Sequence, residues 1–261
     1  MRLLGIALLI LAVQAEPTAN AQTIAISTTR LRAQDDTTRM AAFYEMVRAA
    51  DQRQAYPDGP PTSFLANRAT KQPGLAVALI DLLERENAVI AAAPRGSLSE
   101  DYVGGYHVDL LLTVARMRDP RSLVALLPGL GTSGVIRTSV ASFGEAAVAP
   151  LANTVRNSDR NVRVGAVLTM KLLLDNRSAT PLRDESVRAL RDVLLGVLGS
   201  REDAFTRASA VEALMSLSDR ETRAKMRRLA ASDTATGLAL PGKPTPHPVR
   251  AAARNWLARH P

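Results

Sequence analysis

His107 and Asp109 stand two residues apart, a spacing at which an imidazole and a carboxylate can approach one metal ion. A protein zinc site takes three or four such ligands. No third candidate stands at a matching spacing, so no metal and no cofactor is expected. The other histidines, His247 among prolines and His260 near the end, fall into no Ser-His-Asp order around a nucleophile turn. Gly131-Thr132-Ser133-Gly134 reads as a turn between helices, since a nucleophile elbow needs a strand before it and no strand is expected. A phosphate-cradling glycine loop lacks the same prerequisite. Cysteine is absent, which removes thiol nucleophiles, thiolate metal sites, thioether-linked cofactors and disulfides. "DYVGGYH", residues 101–107, sets two tyrosines around a Gly-Gly break. It suits a loop that grips a peptide or sugar, or aromatic packing of a cap onto the helices that follow, and the packing role is the preferred reading. No catalytic constellation emerges, and the chain is read as non-enzymatic.

Arginine near helix starts is what recurs. Arg163, Arg207 and Arg250 follow one another at 44 and 43 residues, and Arg137 precedes Arg163 by 26. Asp159 stands four residues before Arg163, and Asp203 four before Arg207. An aspartate at a helix start accepts the free backbone N–H groups and complements the positive end of the dipole. An arginine one turn later can bridge to it or to the next repeat's aspartate. Such a bridge is open to Asp159 with Arg163 and to Asp203 with Arg207, as a structural role for these four residues. After each arginine comes a similar apolar face: Val162, Ala166, Val167 and Met170; Ala208, Val211, Leu214 and Met215; Val249, Ala252, Ala253 and Trp256.

The helices that carry these faces come in pairs. Residues 75–92 pair with a helix from Tyr102 or later to Arg118. Asp119-Pro120 opens one ending near Pro128-Gly129, answered by 135–143. Then come 145–157 with 161–175, 184–198 with 203–218, and 219–232 with 248–259. The loop before the last helix holds four prolines and cannot be helical throughout. Upstream, Asp35-Asp36-Thr37-Thr38 caps a helix with Met40, Phe43, Tyr44 and Val47 on one stripe, and "YPDGPPT", 56–62, stops it. Self-similarity at periods of 20 to 50 residues is the mark of stacked hairpins, each too small to cover its own apolar face.

"FGEAAVAPLANTVRNSDRNVRVGAVLTM", residues 143–170, resembles a HEAT repeat: a small-x-Ala-Val-x-Pro-Leu helix, a polar turn with Asp, then Val-Arg opening the second helix. "RDPRSLVALLPGL", 118–130, "SREDAFTRASAVEALMSLSD", 200–219, and "HPVRAAARNWLAR", 247–259, are similar to parts of the pattern. Pro246 and Ser133 stand where the pattern has Asp, and repeat length varies. The resemblance covers roughly 74–261 and implies an all-α α-solenoid of about five HEAT-like hairpins with an N-terminal helical cap. It also implies that the second helices line a concave face bearing Arg137, Arg163, Lys171, Arg207, Glu212, Arg250 and Arg254, open to a protein or peptide partner. Some proteins of this kind are bilin lyases or DNA glycosylases, but no site of theirs maps onto this chain.

Composition sets the outer limits. Apolar residues make up 46% and aromatics 3%, so a large core is available and must be built from Ala, Val and Leu, as closely packed helices are. Residues 1–21 read as a signal peptide: Met1-Arg2, an apolar run from Leu3 to Val13, and small-x-small sites that place cleavage before Gln22. The run is too short for a bilayer crossing, which takes about 20 residues. Residues 22–34 read as a flexible leader, 35–73 as the cap and 74–261 as the array. Export to a periplasmic or extracellular space is expected. Net charge is +8, and loss of Arg2 and Glu16 together leaves it unchanged. The surplus favours anionic partners, so binding to an envelope polymer or lipid surface is the alternative function. The cationic run 219–228 lacks interleaved aromatics, which argues against nucleic acid.

Overall fold

The computed structural model describes residues 22–25, 27–51, 60–94, 96–157, 159–176, 180–200, 202–240 and 243–261, with backbone alone for 237–240 and 243–245. The expected signal peptide and most of the 56–62 stop lie outside the described residues. The chain is all-α, and none of the described helices is long and apolar enough to cross a membrane. It divides into two compact units, 1–125 and 126–261.

The first unit contains α1 (Asp36–Ala50), α2 (Pro61–Thr70), α3 (Pro73–Ala92) and α4 (His107–Met117), the last entered through a π-helical turn, Asp101–Tyr106. Asp35 caps α1 by accepting the Thr38 N–H at 2.7 Å. Helix α2 packs on α1, α3 and α4, and Phe43, Met46, Leu65, Leu79, Leu83, Leu110 and Val114 are fully buried between them. The boundary expected at residue 73 falls inside this unit, because α3 and α4 share a core with the supposed cap. The segment read as a leader contacts α1 where it is described. Residues 22–25 and 27–30 are helical, and Ile24, Ser27 and Leu31, at helical spacing, are buried. Ser27 Oγ donates to Glu45 at 3.0 Å, and Arg30 pairs with the same carboxylate at 2.5 Å. Three buried positions were enough to dock a segment with no obvious periodicity.

Asp119 caps a broken helix made of a 3-10 turn (Pro120–Ser122), a four-residue α segment (Leu123–Leu126) and a second 3-10 turn (Leu127–Gly131). The second unit starts at Leu126, within this segment, and goes on through α5 (Gly134–Ser142), α6 (Glu145–Thr154), α7 (Arg160–Asp175), α8 (Asp184–Gly199), α9 (Ala204–Ala213), α10 (Arg220–Ser232) and α11 (Pro248–Arg259). Within hairpins α6 packs on α7, α8 on α9 and α10 on α11. Across hairpins α5, α7, α9 and α11 each pack on the next, and α6 packs on α8. The tightest crossing is glycine on backbone: a Cβ on Gly165 of α7 would stand 2.4 Å from the Leu130 carbonyl carbon, and one on Gly131 would stand 2.8 Å from Asn161. Before α11 the sequence suggested loop alone. Instead β1 (Gly237–Leu240) pairs antiparallel with β2 (Lys243–Thr245), Leu238 opposite Pro244. Proline and glycine exclude helix there while leaving an extended two-stranded ribbon open to the backbone.

Candidate functional site

The repeated arginines share one task. Each stands in the first turn of a second helix and reaches back to a carbonyl at, or up to three residues beyond, the end of the preceding helical segment. Arg137 Nη1 donates to Leu130 O at 3.0 Å, and Arg163 Nη1 to Asn157 O at 2.9 Å. Arg207 Nε and Nη2 donate to Leu198 O at 3.3 and 3.2 Å, and Arg250 Nη2 to Asp233 O at 2.8 Å. The last carbonyls of a helix have no intrahelical donor, so a guanidinium placed there satisfies them and complements the negative end of the dipole. All four arginines are half-buried. Burial draws the Arg137 guanidinium below its usual value.

Asp159 and Asp203 both serve as helix caps, and the ion pairs recorded for Arg163 and Arg207 go to other carboxylates. Asp159 Oδ1 accepts from the Asn161 and Val162 N–H groups at 2.7 and 3.1 Å and serves as a cap. Asp203 caps α9 through the Phe205 and Thr206 N–H groups, and it pairs across hairpins with Arg160, Nε and Nη2 each at 2.9 Å. Burial works against ionisation of Asp203, yet the hydrogen bonds from Arg160 and Thr206 hold its carboxyl well below the usual carboxylate range. Arg163 pairs with Glu202 at 2.8 Å, and Arg207 with Asp233. Arg160, Glu202 and Asp233 were missed from sequence. Arg160 was the findable one, since it adjoins one capping aspartate and lies 43 residues before the next.

Of the remaining candidates, Lys171 pairs with Asp175 one turn along α7, while Glu212 and Arg254 are exposed. The structure therefore gathers the seven residues onto the second helices but engages most of their charge internally. What those helices leave half-exposed on α7 is an apolar stripe, Val164, Leu168 and Leu172, at i, i+4 and i+8.

The first unit holds a second polar cluster. Glu86, fully buried, accepts from Arg39 Nε at 2.6 Å and Nη2 at 3.3 Å, from Tyr106 OH at 3.2 Å and from Tyr102 OH. Arg39 is completed by the Ala33 and Gln34 carbonyls at 3.1 and 2.5 Å. Burial, then the Glu86 charge, pushes the Tyr106 phenol up. His107 and Asp109 do not converge: His107 Nε2 lies 2.8 Å from Asn87 Oδ1, and Asp109 accepts from Tyr44 OH at 3.2 Å. Burial lowers the imidazole to about 4. Residues 101–106 thus form a helical turn in which the Tyr106 ring packs against Phe43, at 5.6 Å, and Tyr44, while Tyr102 packs on Tyr106.

No protein-family model and no curated protein matches this chain.

Proposed function

We propose that the second unit is a HEAT-like stack of helical hairpins that binds a protein or peptide along its second helices, in an exported protein. The observation that supports it is the row α5, α7, α9 and α11, each packed on the next and each clasped at its start by an arginine. Such a row needs only neighbouring hairpins to bury its core, which leaves a continuous face for a partner. The half-exposed Val164, Leu168 and Leu172 offer apolar area on α7, and half-exposed Lys171 with exposed Glu212 and Arg254 add charge on the same row of helices, the mix of residue types that an interface uses. Reversing Arg163 or Arg207 would break hairpin clasps, so the test uses Leu168→Asp with Lys171→Glu against Arg188→Glu on the exposed side of α8. A partner captured from envelope extracts should be lost with the first variant and kept with the second. Equal recovery by both would remove the second helices from the interaction.

A further inference from the structure

A cleft of about 230 Å³ lies where the last two hairpins of the second unit meet, lined by Arg207, Lys225, Arg228, Leu229 and the 232–235 segment. Three cations face one carboxylate there, and that carboxylate is already engaged. The Asp233 side chain is 6% exposed, accepts from Arg207 at Oδ2 and accepts the Ala235 N–H at Oδ1, 3.0 Å. Arg207 is held in turn by Leu198 O. Among the described residues neither Lys225 nor Arg228 has an ion-pair partner. The two stand at i, i+3 on α10 and share a face with Ser232, one turn beyond Arg228. Lys225 is half-buried, its Nζ 3.3 Å from where a Cβ on Gly199 would sit. That places its ammonium beside Gly199, at the end of α8.

We infer that this cleft binds a phosphate-class oxyanion, free or as a phosphomonoester. A dianion neutralises Lys225 and Arg228 together, where a carboxylate would match one of them, and guanidinium geometry suits phosphate oxygens. The site makes no use of Val164, Leu168 or Leu172 and stands or falls without the partner-binding proposal.

The test is titration of the purified full chain with inorganic phosphate, and in a second arm with glycerol phosphate, at constant ionic strength, followed by amide resonances. Saturable shifts are expected at Lys225, Arg228 and Thr234, and tighter binding in the second arm would make the ligand a phosphomonoester. Lys225→Gln with Arg228→Gln should weaken binding at least tenfold. Arg220→Gln with Arg227→Gln, which removes the same charge from the exposed stripe of the same helix, should leave it within twofold. Arg228→Gln alone, at an exposed position, supplies a folded variant if the pair lowers the melting temperature, and it too should weaken binding. Shifts that never saturate, or equal weakening by both pairs, would reduce the effect to net charge and overturn the site.

Discussion

Glu86 shows how a buried charge is made tolerable here. Desolvating a carboxylate costs several kcal/mol, and the attraction of a partner offsets this only where the remaining lone pairs also find donors. Arg39, Tyr102 and Tyr106 supply those donors, and the Ala33 and Gln34 carbonyls complete the arginine. Glu86→Ala should therefore destabilise the first unit by about 3–5 kcal/mol, because Arg39 keeps a charge with no counterion. Leucine at both 39 and 86 should cost much less than that single change, and urea unfolding compares them. His107 makes a pH-dependent case. Its imidazole titrates near 4 in the fold against an ordinary 6.5, so between those values the unfolded chain binds the extra proton. Stability must then fall as pH drops from about 6.5 to 4, by up to about 1.4 kcal/mol per unit for one group. Of the groups around the ring, Asn87 is uncharged and Glu86 opposes the shift. His107→Gln, which can keep the Asn87 contact, should flatten that slope. It should leave untouched the loss below pH 4 that comes from Asp203, whose folded value is depressed and whose contribution disappears on protonation.

At the level of elements, the crossing of α7 over the 127–131 turn depends on having no side chain at residue 165. A methyl there would overlap the Leu130 carbonyl, which is backbone and cannot swing aside. Gly165→Ala should lower stability by about 1–3 kcal/mol despite alanine's better helix propensity, a sign opposite to that at an exposed helical glycine such as Gly196, where nothing lies within 4 Å. Denaturant midpoints of the two alanine variants decide it. This crossing also marks what the sequence could reveal. Helix starts were legible because Asp35, Asp119, Asp159, Asp203 and Asp219 are side-chain caps, and caps act within three residues of themselves. The arginine positions were legible as a period. Their acceptors were not, since a backbone carbonyl such as Leu198 O leaves no trace in residue type. Equally hidden were the docking of residues 22–31 and the π turn at 101–106, both fixed by contacts with α1 and α3 that no local pattern encodes.

For the molecule as a whole, net charge is a poor guide to what its surface offers. The arginines that set the repeat are held against backbone carbonyls at the ends of preceding segments, and among the described residues Lys225 and Arg228 of α10 have no ion-pair partner. The same clasps decide how stability should be distributed through the second unit. Arg207 joins the end of α8 to Asp233 beyond α10, so it ties one hairpin to the next. Arg207→Ala would strand a nearly buried carboxylate and cost about 3–5 kcal/mol. If hairpins are stabilised by their own packing and by nearest neighbours, that loss concentrates where the clasp acted. Amide exchange should then accelerate across 204–259 by well over tenfold while residues 134–175 change little. Uniform acceleration from 134 to 259 would mean one cooperative core, and the reading of this unit as a stack of hairpins would have to be given up.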